Sequence, residues 1–313
     1  MMTGKVVALS GGIGGAKLAL GLDRVLAPGQ LTIIANTGDD FRHLGLAISP
    51  DIDTLLYTLA GLDDPVCGWG RRDETWTFMR ALAQIGGENW FLLGDGDLAL
   101  HVERTRRLTA GETLSEVTDA LRQRLAIASA IVPMSDDSVA TRVDTDEGWL
   151  DFQHYFVRRR CEPRVRALEF AGAETALLAP GAAAALADPA LAAIIICPSN
   201  PYLSVDPILA VPGLRQALRA AHAPVIAISP IIAGQAVKGP TAKMMAELGL
   251  LPSAATVAQH YAGLIDAFVI DEADAVASVD GEVAIATAPI LMRSLEDKTR
   301  LARFVLDVAE RLA

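Results

Sequence analysis

Two periodicities alternate along this chain. Short uninterrupted apolar runs at 6–9, 31–35, 128–132, 191–197, 224–228, 267–270 and 283–288 predict buried strands, the last group separated by stretches with helical spacing. Apolar positions recurring every three or four residues predict helices over 17–26, 74–85, 98–108, 113–125, 207–221, 242–248 and 295–312. Ser49-Pro50-Asp51-Ile52-Asp53 reads as a helix start, with Ser49 as N-cap, Pro50 in the first turn and two acids complementing the helix dipole. Strands without internal alternation are covered on both faces, so the pattern predicts an α/β fold with a mostly parallel sheet flanked by helices.

Residues 61–124 break this alternation. They carry helical patterns and no strand, which predicts a small all-helical insertion inside a nucleotide-binding domain formed by 1–60 and 125–313. Trp69, Trp76 and Trp90 all fall in the insertion. Tryptophans fill a core or wall a pocket for a flat ring, and composition by itself favours the core. After the strand at 128–132, alternation over 138–144 and 149–157 predicts a hairpin turning at Asp146-Glu147-Gly148. Arg158, Arg159, Arg160, Arg164 and Arg166 follow, and read better as a solvated edge than as a phosphate clamp.

The candidate chemistry begins where the first strand ends. Ser10-Gly11-Gly12-Ile13-Gly14-Gly15-Ala16-Lys17 joins strand to helix with a run of glycines, so backbone N–H groups at a helix N-terminus can approach an anion closely. Lys17 disrupts both familiar fingerprints. It stands where G-x-G-x-x-G needs its third glycine, and it lacks the Gly before and Ser or Thr after that a Walker loop requires. The turn therefore predicts a phosphate or diphosphate ligand other than NAD, or else a purely structural turn. The second strand runs into Asn36-Thr37-Gly38-Asp39-Asp40, at the edge where parallel sheets hold ligands. Adjacent carboxylates there suit Mg²⁺, a hard cation that bridges carboxylate and diphosphate; they also suit a turn with local hydrogen bonds. Either Asp51 or Asp53 is a further candidate as metal ligand or base. Pro198-Ser199-Asn200-Pro201 presents a hydroxyl and an amide at the end of the clearest buried strand, and Lys238 precedes a later helix.

Composition narrows the classes. The chain has 313 residues and a formal net charge of −11, which argues against a broad nucleic-acid surface. Three scattered cysteines, Cys67, Cys161 and Cys197, argue against disulfides and for a reducing cytoplasm. No apolar run is long enough for a membrane span. The five histidines show no ligand spacing and read as surface or cap residues, His43 after the Asp39-Asp40 loop excepted. No G-x-S-x-G or H-E-x-x-H motif is present.

Several blocks taken together resemble one family. They are the glycine turn, Asn36–Asp40, Ser49–Thr54, Gly68-Trp69-Gly70 with Arg72-Asp73-Glu74-Thr75, Leu93–His101, Pro133–Asp137, Pro198–Pro201 and Ser229–Gly234 with Lys238-Gly239-Pro240. This set is similar to the 2-phospho-L-lactate transferases (CofD/FbiA) of coenzyme F-420 biosynthesis. The resemblance implies a Rossmann-like, cytoplasmic homodimer that uses Mg²⁺. It implies transfer of a phospho-(three-carbon acid) group from a guanosine-diphospho donor to the ribityl hydroxyl of the deazaflavin 7,8-didemethyl-8-hydroxy-5-deazariboflavin (Fo), with release of GMP. On that footing Gly11, Gly12, Gly14, Gly15, Lys17, Asn36, Ser199, Asn200 and Lys238 are expected around the nucleotide. Asp40 and Asp53 are expected to act in catalysis or, with Asp39, to hold the metal. Trp69 and Trp76 are expected to flank the deazaflavin. Two departures stand out: Gly96 where the family usually has Arg, and Ile13 where many members have Thr. A non-catalytic, nucleotide-sugar-binding regulator of the YvcK type shares the glycine-rich start and is the alternative.

Overall fold

The computed structural model describes residues 2–65, 67–236, 239–274 and 283–313. The chain opens with β1 (Lys5–Ser10), α1 (Gly12–Val25), β2 (Leu31–Ala35), the hairpin β3 (Phe41–His43) and β4 (Leu46–Ile48), and α2 (Pro50–Ala60). Three helices follow, α3 (Thr77–Gln84), α4 (Asp95–Thr109) and α5 (Leu114–Arg124), the last started by a Thr113/Glu116 capping box. Next come β5 (Ala130–Pro133) and an antiparallel group of β6 (Ala140–Thr145), β7 (Gly148–Asp151) and β8 (Val165–Ala171). The remainder is α6 (Pro180–Leu186), β9 (Leu191–Ile196), α7 (Asp206–Ala210), α8 (Leu214–Ala220), β10 (Val225–Ile228), β11 (Ile231–Ile232), β12 (Gln235–Ala236), α9 (Thr241–Glu247), α10 (Ala254–His260), β13 (Ala267–Ile270), β14 (Ala284–Thr287) and α11 (Leu295–Leu312). No described helix is long and apolar enough to cross a membrane.

The seven predicted apolar runs make one fully parallel sheet in the order β14-β13-β10-β9-β1-β2-β5. Successive residues of one strand serve opposite cores. Val7, Leu9, Ile194 and Ile196 pack on one face, and Val6, Ala8, Ala193, Ile195 and Cys197 on the other. The second face is covered by α1, α2 and α11 through Leu18, Leu22, Ile52, Leu55, Leu301 and Val305. Each such side chain contributes about 1.5–3 kcal/mol on leaving water. From β1 the chain builds outward through β2 to β5, then returns to the other side of β1 at β9. β1 and β9 therefore flank a topological switch point, where their carboxyl ends leave a crevice between diverging connections.

Four expectations need correction. The stretch 207–221 is two helices, because Pro212 and Gly213, with φ of 85°, interrupt it. The hairpin's second strand stops at Asp151. Phe152 and Tyr155 are buried at a spacing of three, so the chain turns helical over His154–Arg158. The arginine run contains a strand, β8, with Val165 buried between exposed Arg164 and Arg166. The helix predicted over 98–108 starts earlier, with Gly94 as N-cap and Asp95 as the first residue of α4. The Glu74 carboxylate accepts from the N–H groups of Gly96 and Asp97, both at 2.7 Å, and so caps that helix from twenty residues upstream.

Candidate active site

At the switch point the glycine turn packs directly on the loop after β9. The Ser199 hydroxyl donates to the Gly11 carbonyl at 2.7 Å and accepts from the Gly11 N–H at 3.3 Å. A Cβ at Gly14 would overlap the Pro198 carbonyl oxygen, and one at Gly11 would overlap Ser204 and Asp51, so this approach admits only glycine. Gly12, at φ of 63°, opens α1, and Gly12, Ile13 and Gly14 of its first turn line a cavity of about 780 Å³. Asn200 uses its side-chain oxygen to cap the next turn, accepting from Tyr202 N–H at 3.0 Å and Leu203 N–H at 3.2 Å. Its Nδ2 is buried with no protein partner, and the residue lines the cavity. Lys17 also lines it and donates to the Met292 carbonyl at 3.1 Å.

The acids next to this turn come from the β2 loop and from α2. Asp51 reaches across to the turn, where Oδ1 accepts from Gly12 N–H at 2.6 Å and Oδ2 accepts from Asn36 Nδ2 at 2.9 Å. Asn36 also donates to Asp39 at 3.1 Å, while its own oxygen accepts from Gly38 N–H at 2.8 Å. Buried and outside the cavity lining, Asn36 acts here as a spacer that sets the Asp39 and Asp51 carboxylates. Burial, reinforced by Asp51 and Asp40, pushes the Asp39 pKa far above the carboxylate range. Burial likewise raises Asp51 to about 6, against the hydrogen bonds from Asn36 and Gly12. Asp39, Asp51 and Asp53 line the cavity; Asp40 does not. One Asp40 oxygen accepts from Ser49 at 2.7 Å and the other is buried without a partner, and burial raises its pKa too. Ser49 thus spends its hydroxyl on Asp40 instead of capping α2.

Asp53 points away from the turn, toward α4. It forms a bidentate ion pair with Arg104, one contact at 3.1 Å and the other, Oδ1 to Nη2, closer still. Arg104 is wholly buried. His101 lies 3.6 Å from Asp53 through Nδ1, and its Nε2 is 3.1 Å from Asp97, whose other oxygen accepts from Tyr57 at 2.6 Å. His101 is 1% exposed, which corrects the reading of it as a surface or cap residue; His43, at 3%, is equally buried. Asp97, His101 and Arg104 recur at helical spacing on one face of α4, the one sequence signal that could have found this network.

The opposite wall is aromatic. Trp69, Trp90, Phe91 and Leu92 contribute from the helical region, and Phe152 and Phe156 from the segment after β7. The Phe152 and Phe156 rings stack at 5.3 Å and 16°. Trp90 sits 5.0 Å from His43 and 4.7 Å from His154 between ring centroids. Trp76 is not on this wall. It packs in a satellite cluster with Ile48, Met79 and Leu93. Gly15 lies beneath the turn against Ser10 and Ser199, outside the lining, and Lys238 lies outside the described residues. Of the five arginines, Arg160 reaches the lining, while Arg159 pairs with Glu147.

A glycine-rich crossover and a set of aromatic side chains that line one cavity are joined by a match in sequence. Residues 6–288 fit the family model described as 2-phospho-L-lactate transferase CofD. The chain belongs to the CofD family. Relatives along its full length include proteins named phosphoenolpyruvate transferase from Kitasatospora aureofaciens, 43% identical over 98% of both chains, and from Streptomyces coelicolor, 41% identical over 98% of both. A third, from Mycobacterium ulcerans, is 39% identical over 97% of this chain and 98% of its own. Among solved structures, the UPF0052-family protein BH3568 of Bacillus halodurans superposes with a TM-score of 0.61 over 97% of this chain and all of its own. At 14% identity that likeness speaks for a shared Rossmann-like architecture alone. As a CofD-family member the chain is a transferase.

Proposed function

We propose that this CofD-family chain transfers an enolpyruvyl-phosphate group, or a closely related phospho-(three-carbon acid), from a guanosine-diphospho-linked donor to the ribityl hydroxyl of Fo, releasing GMP. One observation carries the reading. A single cavity is lined both by the turn of Gly12–Gly14 at the start of α1 and by Trp69, Trp90, Phe91 and Phe156. One space can therefore take both a charged tail and a flat ring, and Asp39, Asp51, Asp53 and Asp97 line it too. The names of the full-length relatives support the enolpyruvyl donor over the lactyl one.

Substituted-phosphate transfer asks the protein chiefly for positioning and charge neutralisation. The α1 N-terminus, Lys17 and the unpaired Asn200 Nδ2 supply donors for the diphosphate oxygens. The aromatic wall fixes the ring, so that the ribityl chain runs toward the acids. Mg²⁺ fits these residues, since Asp39 and Asp51 bring oxygen ligands to the cavity wall, and burial beside other acids disfavours their charge until a cation offsets it. Asp39 and Asp51 on the cavity wall would hold it, and it would neutralise charge on the diphosphate. Asp40 lies outside the lining, and Asp53 is already neutralised by Arg104.

The test is incubation of the purified protein with Mg²⁺, Fo and a mixture of guanosylated enolpyruvyl, lactyl and glyceryl donors, read by mass spectrometry. The enolpyruvyl phosphodiester of Fo and an equivalent of GMP are expected, with formation stopped by EDTA. Absence of any phosphodiester, together with binding of a UDP-sugar and not of Fo, would establish the regulator instead.

A further inference from the structure

Four carboxylates line the cavity, and three of them, Asp39, Asp51 and Asp53, are buried. Asp51 is held by Gly12 and Asn36, Asp53 by Arg104 on both oxygens, and Asp39 by Asn36 within a cluster that favours its neutral form. Asp97 differs. Its side chain remains 19% exposed, against 7% for Asp53, and it stands at the first turn of α4. Tyr57 donates to Oδ1 and the His101 Nε2 lies 3.1 Å from Oδ2, so both oxygens are positioned while the side chain keeps partial access on the cavity lining. Burial pushes its pKa up, yet His101, Tyr57 and Arg104 outweigh that and keep it below the usual range. Asp97 also follows the wall residues Trp90-Phe91-Leu92 by only five positions, the intervening chain being fixed by the Glu74 cap.

We propose that Asp97 is the catalytic residue that receives the attacking ribityl hydroxyl, with Tyr57 and His101 as its positioning residues. This rests on the transfer reading above. The hydroxyl donates to Asp97 Oδ2; as its oxygen forms the new bond to phosphorus, its proton passes to that carboxylate. The phosphorus–oxygen bond to GMP breaks, and its electron pair leaves with GMP. Asp97 then releases the proton to water. Arg104 stays paired with Asp53 throughout, its charge supporting both acids from the protein interior.

The experiment compares wild type, Asp97→Asn and Tyr57→Phe for turnover, Fo affinity by fluorescence titration, and melting temperature. Asp97→Asn is expected to lower kcat by 100-fold or more, the usual range for losing a positioned proton acceptor, with Fo affinity changed less than threefold. Tyr57→Phe is expected to lower kcat about tenfold at similar KM, and it decides the matter if Asp97→Asn melts below assay temperature. Wild-type turnover with Asp97→Asn above half that rate would overturn the role of Asp97 and leave the transfer reading intact. A loss confined to Fo affinity would overturn it as well, making Asp97 a binding residue. A wild type that forms no product overturns both.

Discussion

Asp53 shows how far one residue's meaning depends on its surroundings. In sequence it is a first-turn acid whose removal would cost about 0.3–1 kcal/mol of helix-dipole energy. In the fold it is the counter-ion of an arginine with no solvent access. Asp53→Asn strands that buried cation, so denaturant unfolding should register a loss of about 3–5 kcal/mol, and activity should fall through the damaged fold. The double change Asp53→Asn with Arg104→Met removes both charges and should recover most of that stability. Asp51 makes a second residue-scale prediction, through pH. Its pKa is about 6 when folded and near 3.8 when unfolded. Between those values the folded state binds more protons, so stability falls as pH rises from about 4 to 6, by roughly 3 kcal/mol for this group in the cation-free protein. Thermal melts across that range should show the decline, and Asp51→Asn should make it shallower, leaving the part due to Asp39 and Asp40. Mg²⁺ should raise the melting temperature more at pH 7.5 than at pH 5.

At the scale of elements, the segment from Trp90 to Asp97 ties the aromatic wall to α4, and α4 ties it through Arg104 to α2. Trp90→Ala should therefore act on the acceptor and not on the nucleotide. Loss of ring stacking worth about 0.5–1.5 kcal/mol, plus apolar area, predicts a rise of roughly tenfold in the KM for Fo, with GMP inhibition unchanged. Trp76→Ala should instead lower the melting temperature, because Trp76 belongs to the small cluster around Met79 and Leu93. Composition could not separate these tryptophans. Both sit in the same polar, helical stretch, and only the packing of α3 against the β3–β4 hairpin decides which faces inward.

For the molecule as a whole, the sheet order places the two oldest signals in the sequence side by side. The glycine turn and the Ser199-Asn200 loop are 188 residues apart at their hydrogen-bonded contact, yet adjacent strands bring them together. The chain carries −11 overall, so its net field would not steer the anionic donor proposed above into the cavity. The donors for that anion are local backbone amides, and a divalent cation would offset the acids nearby. Donor binding should accordingly weaken sharply in EDTA, measured by equilibrium dialysis with GDP, whereas Fo binding should not.

The amino-acid sequence by itself determined the strands, most helices and the close backbone approach at the first crossover, because each depends on neighbours within a turn or two. Apolar runs specify buried strands, and consecutive glycines specify close backbone approach, whatever lies elsewhere. Tertiary structure alone decided which acids face the cavity. Asp51 meets Gly12, Asp53 meets Arg104 and Tyr57 meets Asp97 across gaps of 39, 51 and 40 residues. Each carboxylate's charge state and partner follow from desolvation and from groups delivered by other elements, and no local pattern encodes those distances.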